Sequence, residues 1–216
     1  MNMLTDILAS SRYSRALLTT FAILVLTGCV LEEDISQTSG GEVTINGSVG
    51  DGPVIGATVT VYNSSGEVVD TILSDGQARY QSKIKAKGHE FPLRIEAIGG
   101  TDLVTGRVPD FNMQSVMAHP SVKAVNINPF TTLIVQVAER MSGGLGSDNV
   151  ANATVIVMDA FSFGLDGNQV PDPLTTSIQD SNVSHIVKAS ESMGEMVRRT
   201  RDQLRLTGST VDGDAV

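Results

Sequence analysis

Alternating apolar and polar positions dominate the chain over residues 41–110. The stretches VTINGSV and ATVTVYN place valine or isoleucine at nearly every second position. A period of two is typical of half-buried strands, because successive side chains of a strand point to opposite faces. Further short apolar segments follow, and turn signals separate them: DGP at 51–53, NSSG at 63–66 and GG at 99–100. This spacing predicts a small antiparallel β-sandwich.

The pattern changes to a helical period within residues 120–206. In NPFTTLIVQVAERM, apolar side chains recur every three or four positions after Asn128-Pro129. Asparagine caps a helix and proline fits its first turn, so this pair predicts a helix start. Two further helices are predicted over 149–161 and 182–206. The expected fold class is therefore α+β, a small antiparallel β-sandwich followed by a three-helix region. Whether the helices pack on one another or on the sandwich stays open.

Composition restricts the classes of partner. The formal net charge is −9, which repels a phosphate backbone, so we expect no nucleic-acid binding. Aromatic residues make up 4% of the chain and tryptophan is absent, which disfavours a stacking platform for sugars or bases. Four arginines between 198 and 205 are the local exception. They suit the negative end of a helix dipole, or alternatively an anionic lipid or partner.

The N-terminus has the layout of an export signal. Arg12 and Arg15 precede an uncharged apolar run at 16–26, and small residues follow before Cys29, the lone cysteine of the chain. Eleven residues at about 1.5 Å each cannot cross a hydrocarbon layer roughly 30 Å thick. One cysteine also excludes an intrachain disulfide.

The residues Leu26, Thr27, Gly28 and Cys29 resemble a bacterial lipobox. That resemblance implies cleavage before the cysteine, a diacylglycerol on its sulfur and acylation of the new amine. It therefore implies membrane attachment through lipid-modified Cys29, since two or more acyl chains anchor a protein durably. Valine, not aspartate, follows the cysteine, and by the same resemblance this favours the outer membrane, with the protein facing the periplasm or the surface.

The stretch GSVGDGPVIGATVTVYNSSGEVVDTILSDGQARY resembles the start of carboxypeptidase-regulatory-like domains, which are transthyretin-like or Ig-like sandwiches of bacterial surface proteins. The chain departs from their pattern at Ala78, where glycine is usual, and at Ser74, where threonine is usual. NPFTTL is similar to an element that follows Ig-like modules in bacterial surface lipoproteins. These resemblances imply a fold and not an activity.

Candidate chemistry is sparse. The chain has no GxSxG, HExxH or phosphate-loop motif, so we expect no enzymatic activity and no cofactor. Thr131 and Thr132 are interpreted as residues of a helix first turn. Asp166, Asn168 and Asp172 could offer oxygens to calcium, but their register departs from that of an EF-hand loop, and a turn is the alternative.

Together these patterns predict a non-enzymatic, lipid-anchored outer-membrane protein that acts as a spacer, adhesion or binding module, with a protein or glycan partner left unspecified. The alternative is an accessory subunit of a larger envelope assembly for secretion, pilus formation or polysaccharide handling. The predicted organisation is a lipoprotein signal peptide at 1–28, a flexible tether at 29–40, an Ig-like β-sandwich at 41–110, a helical domain at 120–206 and a disordered tail at 207–216.

Overall fold

The structure is a computed structural model that describes residues 41–216. Over that range the predicted α+β fold is confirmed. The strands are β1 Gly41–Ser48, β2 Val54–Ile55, β3 Thr58–Tyr62, β4 Val68–Leu73, β5 Arg79–Ala86, β6 Leu93–Ile98, β7 Thr101–Asp102 and β8 Met113–Met117. The helices are α1 Pro129–Arg140, α2 Ser147–Phe161 and α3 Val183–Leu206, and a short 3₁₀ turn covers Gly88–Glu90.

Two antiparallel sheets face each other across one apolar core, and a third, small sheet pairs β2 with β7. Four strands are hydrogen-bonded in the order β4-β3-β6-β8, and β1 pairs with β5 along its whole length. In β5 every second residue is buried, which is the alternation expected of a strand with one solvent-exposed face. The largest fully buried side chains shared by the two sheets are Ile45, Val59, Val61, Leu93, Ile95, Met113 and Met117.

Strand β8 lies beyond residue 110, where the sequence pattern predicted the sandwich to end. It pairs with β6 from Met117 opposite Leu93 to Met113 opposite Ala97. Ser115, Val116 and Met117 are all buried, because one face of β8 meets the sandwich core and the other meets the helices. Burial on both faces removes the period of two from the sequence.

The start of α1 closes the outer edge of β8. The Asn128 side chain accepts a hydrogen bond from the Thr131 amide at 3.0 Å and so caps the helix. The Thr131 hydroxyl accepts from the Asn128 amide at 2.9 Å and donates to the Gln114 carbonyl at 2.6 Å. The Thr132 hydroxyl accepts from the Gln114 amide at 2.9 Å. A helix terminus and a sheet edge therefore satisfy each other's backbone groups.

The segment before α1 runs alongside β1. The Val125 amide donates to the Asn46 carbonyl and the Ile127 amide donates to the Ser48 carbonyl, each at 2.8 Å. Between them, the Asn126 side chain donates to the Thr176 carbonyl at 2.7 Å, in the loop before α3. These bonds join the sandwich, α1 and the loop into one compact unit.

Helix α1 packs on β8, and α2 and α3 pack on α1, which answers the question that the sequence left open. Their shared core contains one residue of β8, Val116, and residues from each helix. The buried helical members are Phe130, Ile134, Val135, Ala138, Val150, Ala153, Val157, Ile186, Ala189 and Met193. Among residues 41–216, none of the helices is long and apolar enough to cross a membrane.

Ala78 occupies a left-handed backbone position, with φ at 58°. It is the residue that stands where the resembled sandwich domains usually have glycine. A side chain in this conformation costs about 1 kcal/mol. The neighbouring bonds hold it there: its amide donates to the Asp75 carbonyl and its carbonyl accepts from the Val49 amide.

The residues after α3 fold back on the sandwich. The Asn112 amide donates to the Asp214 carboxylate at 2.5 Å, and its side chain donates to the other carboxylate oxygen at 3.0 Å. Gly213 is buried against the backbone of Asp110. The prediction of a disordered tail at 207–216 did not anticipate these contacts, because one Asp–Asn pair has no periodic signature in the sequence.

We expect Thr131→Val to lower the free energy of unfolding by about 2 kcal/mol, because it leaves the buried Asn128 amide and Gln114 carbonyl without that hydroxyl. Chemical denaturation would measure the loss. The matched control is Thr154→Val on α2, whose hydroxyl bonds to the Val150 carbonyl of its own helix. Equal losses in the two variants would contradict a special role for the joint.

Candidate functional site

The lipobox residues Leu26, Thr27, Gly28 and Cys29 lie outside the described residues. Lipid attachment at Cys29 therefore stays a prediction from the sequence. The first described strand, β1, begins at Gly41.

The calcium candidates shape the loop between α2 and α3. Asp166 accepts a hydrogen bond from the Asn168 amide at 2.9 Å. Asp172 accepts from the Leu174 amide at 2.9 Å and from the Thr175 hydroxyl at 2.5 Å. These are the short-range bonds of aspartate-initiated turns. Within residues 41–216, no group of three or more acidic, histidine or cysteine side chains is arranged to hold a metal ion.

The site with the most unusual chemistry surrounds Asp51, in the turn between β1 and β2. The Gly50 amide donates to the Ile127 carbonyl at 2.9 Å and the Val54 amide donates to the Val49 carbonyl at 2.9 Å. These bonds fold the turn inward. Asp51 is only 2% exposed, and its Oδ1 atom has no hydrogen-bond partner among the described residues.

One face of α3 receives the Asp51 carboxyl group. A Cβ atom added to Gly194 would lie 2.3 Å from Oδ1 of Asp51, so the carboxyl group packs directly on the helix backbone. Ser190 and Glu191 precede Gly194 by one turn and share its face. The Ser190 hydroxyl and the Glu191 Oε1 atom are buried, and neither has a hydrogen-bond partner within 41–216. Asp51 and Ser190 line the same small cavity, of about 70 Å³.

A further carboxylate, Asp102, approaches from the end of β7. It accepts hydrogen bonds from the Val104 amide at 2.9 Å and from the Thr105 hydroxyl at 2.6 Å, which fix its orientation. A Cβ atom on Gly52 would be 2.4 Å from Oδ1 of Asp102 and 2.9 Å from Oε1 of Glu191. Both carboxylates therefore lie against the backbone of the Asp51 turn.

Burial is the main reason that the pKa of Asp51 rises from 3.8 to about 7, and the negative charges of Glu191 and Asp102 add to it. Arg198 opposes the rise. Burial and then the charge of Asp102 also raise the pKa of Glu191. At neutral pH the site can therefore take up or release a proton, unlike an ordinary surface aspartate.

An ion-pair cluster beside this site fastens α3 to the loop before β8. Asp110 binds Arg198 Nη1 at 3.2 Å and Arg201 Nη1 at 2.5 Å. Burial alone would raise the pKa of Asp110, but the hydrogen bonds from Arg201 and Arg198 lower it below its usual value. Arg199 binds Glu195, and Arg205 donates to the Val211 carbonyl. The arginines thus make hydrogen bonds and ion pairs within the chain. The sequence had suggested a helix dipole or an anionic lipid or partner, and did not suggest these bonds.

Sequence reasoning missed Asp51 because aspartate before Gly-Pro is an ordinary turn signal. A second signal was available in SESMGEM, residues 190–196. Glycine inside a helix costs about 1 kcal/mol relative to alanine, so Gly194 required a packing reason. The missing information was the identity of the group that packs there.

We expect neither EDTA nor added calcium to change the melting temperature, because Asp166 and Asp172 already accept hydrogen bonds from their own loop. Differential scanning calorimetry would measure the temperature. A rise with calcium that Asp172→Asn abolishes would contradict this expectation.

We expect Gly194→Ala to destabilise the protein by about 1–3 kcal/mol, because its methyl group would overlap the Asp51 carboxyl group. Helix propensity alone predicts the opposite sign, a gain of about 1 kcal/mol. Urea denaturation measures the difference, and exposed Ser192→Ala on the same helix is the control. A more stable Gly194→Ala variant would show that the contact at Gly194 is not tight.

No family model matches the chain, and no curated protein matches it significantly. Among solved structures, it is similar to the crystal structure of the major plantain pollen allergen Pla l 1. The two are 12% identical, with a TM-score of 0.27, over 40% of this chain and 89% of the allergen. A likeness at this level carries no argument about function.

Proposed function

We propose that this protein is a non-enzymatic, lipid-anchored protein of the bacterial cell envelope, with the folded unit held at the outer membrane as a spacer, adhesion or binding module. The observation that carries the proposal is the order of an apolar run, Leu26-Thr27-Gly28 and Cys29 at the N-terminus. In bacterial lipoproteins this order directs export, cleavage and lipid attachment.

The use of polar residues in the NPFTTL element supports a structural role. The hydroxyls of Thr131 and Thr132 bind the backbone of Gln114 and Asn128, at the joint between β8 and α1. A nucleophilic hydroxyl would need a base within reach. Here both hydroxyls are committed to backbone groups, which suits a module built for rigidity.

The distance between the lipid and the folded unit follows from the chain length. Residues 29–40 are twelve in number, and a fully extended chain of that length spans roughly 40 Å. This spacing would keep the unit near the bilayer. Its net negative charge would also disfavour close contact with anionic lipid headgroups.

We expect Cys29→Ala to abolish incorporation of labelled palmitate and to move the protein from the membrane fraction to the soluble fraction, because the acyl chains would have no attachment atom. Labelling of a bacterial expression host, followed by fractionation, measures both effects. The matched control is Thr27→Ala, which keeps a small residue in the lipobox and should be labelled normally. Full membrane recovery of Cys29→Ala would overturn the proposed anchor.

A further inference from the structure

The helix α3 has two separate attachments. Its N-terminal half contributes Ile186 and Ala189 to the core of the helical region. Its C-terminal half is seated on the sandwich through the contact between Gly194 and Asp51 and through the Asp110 ion pairs. The second attachment depends on charged groups, so it responds to protonation in a way that the first does not.

The contact at Gly194 brings two carboxyl groups and one hydroxyl close together. Oδ1 of Asp51, Oε1 of Glu191 and the Ser190 hydroxyl are all buried, and the part of the chain at 41–216 offers them no hydrogen-bond partner. A protonated carboxyl group donates one hydrogen bond, whereas an ionised one only accepts. The Ser190 hydroxyl can donate only one hydrogen bond, so two ionised carboxylates here would leave at least one buried acceptor unpaired, which is costly. The proton state of Asp51 therefore decides whether this contact is favourable.

We infer that Asp51 and the Gly194 face of α3 form a proton-operated latch. A neutral Asp51 carboxyl keeps the C-terminal half of α3 seated on the sandwich, and loss of its proton loosens that half. The latch is a conformational device of the folded unit and does not depend on lipid attachment.

The charges that face Asp51 come from every element packed around it. From α3 come Glu191 and Arg198, from the end of β7 comes Asp102, and from the loop before β8 comes Asp110. Arg198 is the one cation in this set, and it is already bound by Asp110 and Glu195. An ionised Asp51 would therefore join the carboxylates of Glu191, Asp102 and Asp110, while Arg198 is already paired with other groups.

The direction of the pH response follows from linkage. In the seated state the pKa of Asp51 is about 7, and in an unseated state that exposes it to water it returns towards 3.8. The seated state binds the proton more tightly, so acid favours it. The equilibrium constant for unseating rises about tenfold per pH unit between these two values and levels off above the higher one. Between pH 3.8 and about 7 the latch therefore weakens as the pH rises, while Asp110, whose pKa is lowered, stays ionised and keeps its ion pairs.

Unseating would also change a groove beside the helix. Met193, Met196 and Val197 of α3 line it together with Leu133 and Val137 of α1, and residues 213–216 border it. Loosening of α3 at neutral pH would make this apolar surface more accessible. The proton state of one buried carboxyl would thus control access to a surface on another part of the unit.

The test is hydrogen–deuterium exchange of the full chain in detergent, with Asp51→Asn as the variant that mimics a neutral carboxyl group. At pH 8 we expect amides after residue 194 of α3 to exchange at least about tenfold more slowly in Asp51→Asn than in the wild type. At pH 4 the two proteins should exchange alike. The matched control is Asp159→Asn, an exposed aspartate on α2, which should behave as the wild type at both pH values.

Three results would overturn the latch. They are equal exchange of α3 in Asp51→Asn and the wild type at pH 8, faster exchange in the variant, and an equal slowing in α1, which would indicate a global effect. Glu191→Gln supplies a second measurement, because it removes one like charge and should slow exchange at pH 8 in the same direction. An unchanged rate in both variants would exclude any role for the carboxyl pair.

Discussion

The joint between β8 and α1 is the interaction on which the rest of the structure depends. A sheet edge and a helix start both carry unpaired backbone groups. Here the Thr131 and Thr132 hydroxyls bind the backbone of Gln114 on the sheet edge, and the Asn128 side chain caps the helix at the Thr131 amide. Because Asn128 and Thr131 are buried, water cannot replace their hydrogen bonds, and Thr132 adds a half-buried hydroxyl beside them. The joint fixes the direction of α1, and α1 then provides the surface on which α2 and α3 pack. The NPFTTL element is thus a connector between two kinds of secondary structure.

The second organising feature is the uneven distribution of charge. The chain is acidic as a whole, yet its buried carboxylates gather at the place where α3 meets the turns of the sandwich. Apolar packing alone holds the first half of α3, whereas in the second half a carboxyl group and an ion-pair cluster add to the packing of Met196. The latch therefore makes one region of the folded unit more sensitive to the proton concentration than the apolar core of the helices.

The sequence predicted the elements that have one dominant environment. Strands with one solvent-exposed face show alternating apolar and polar residues, and the three helices carry continuous apolar stripes. The α+β fold and the helix starts at Asn128 and Asn182 could therefore be predicted from the sequence. Strand β8 was missed because it is buried on both faces. Asp51 was missed because its partners, Asp102 and Glu191, are distant in sequence. Only tertiary structure converts a common turn residue into a buried acid, and nothing local marks that change.

The segment at 125–127 has a consequence for the order in which the chain becomes folded. It lies against β1, although about eighty residues separate the two. Tyr80, on the neighbouring strand β5, donates a hydrogen bond to the Val125 carbonyl. The first strand therefore obtains its full set of partners only after most of the chain has emerged. Residues 41–110 alone therefore lack the hydrogen bonds that 125–127 supplies to β1. The segment that follows the sandwich in sequence completes the hydrogen bonding of β1.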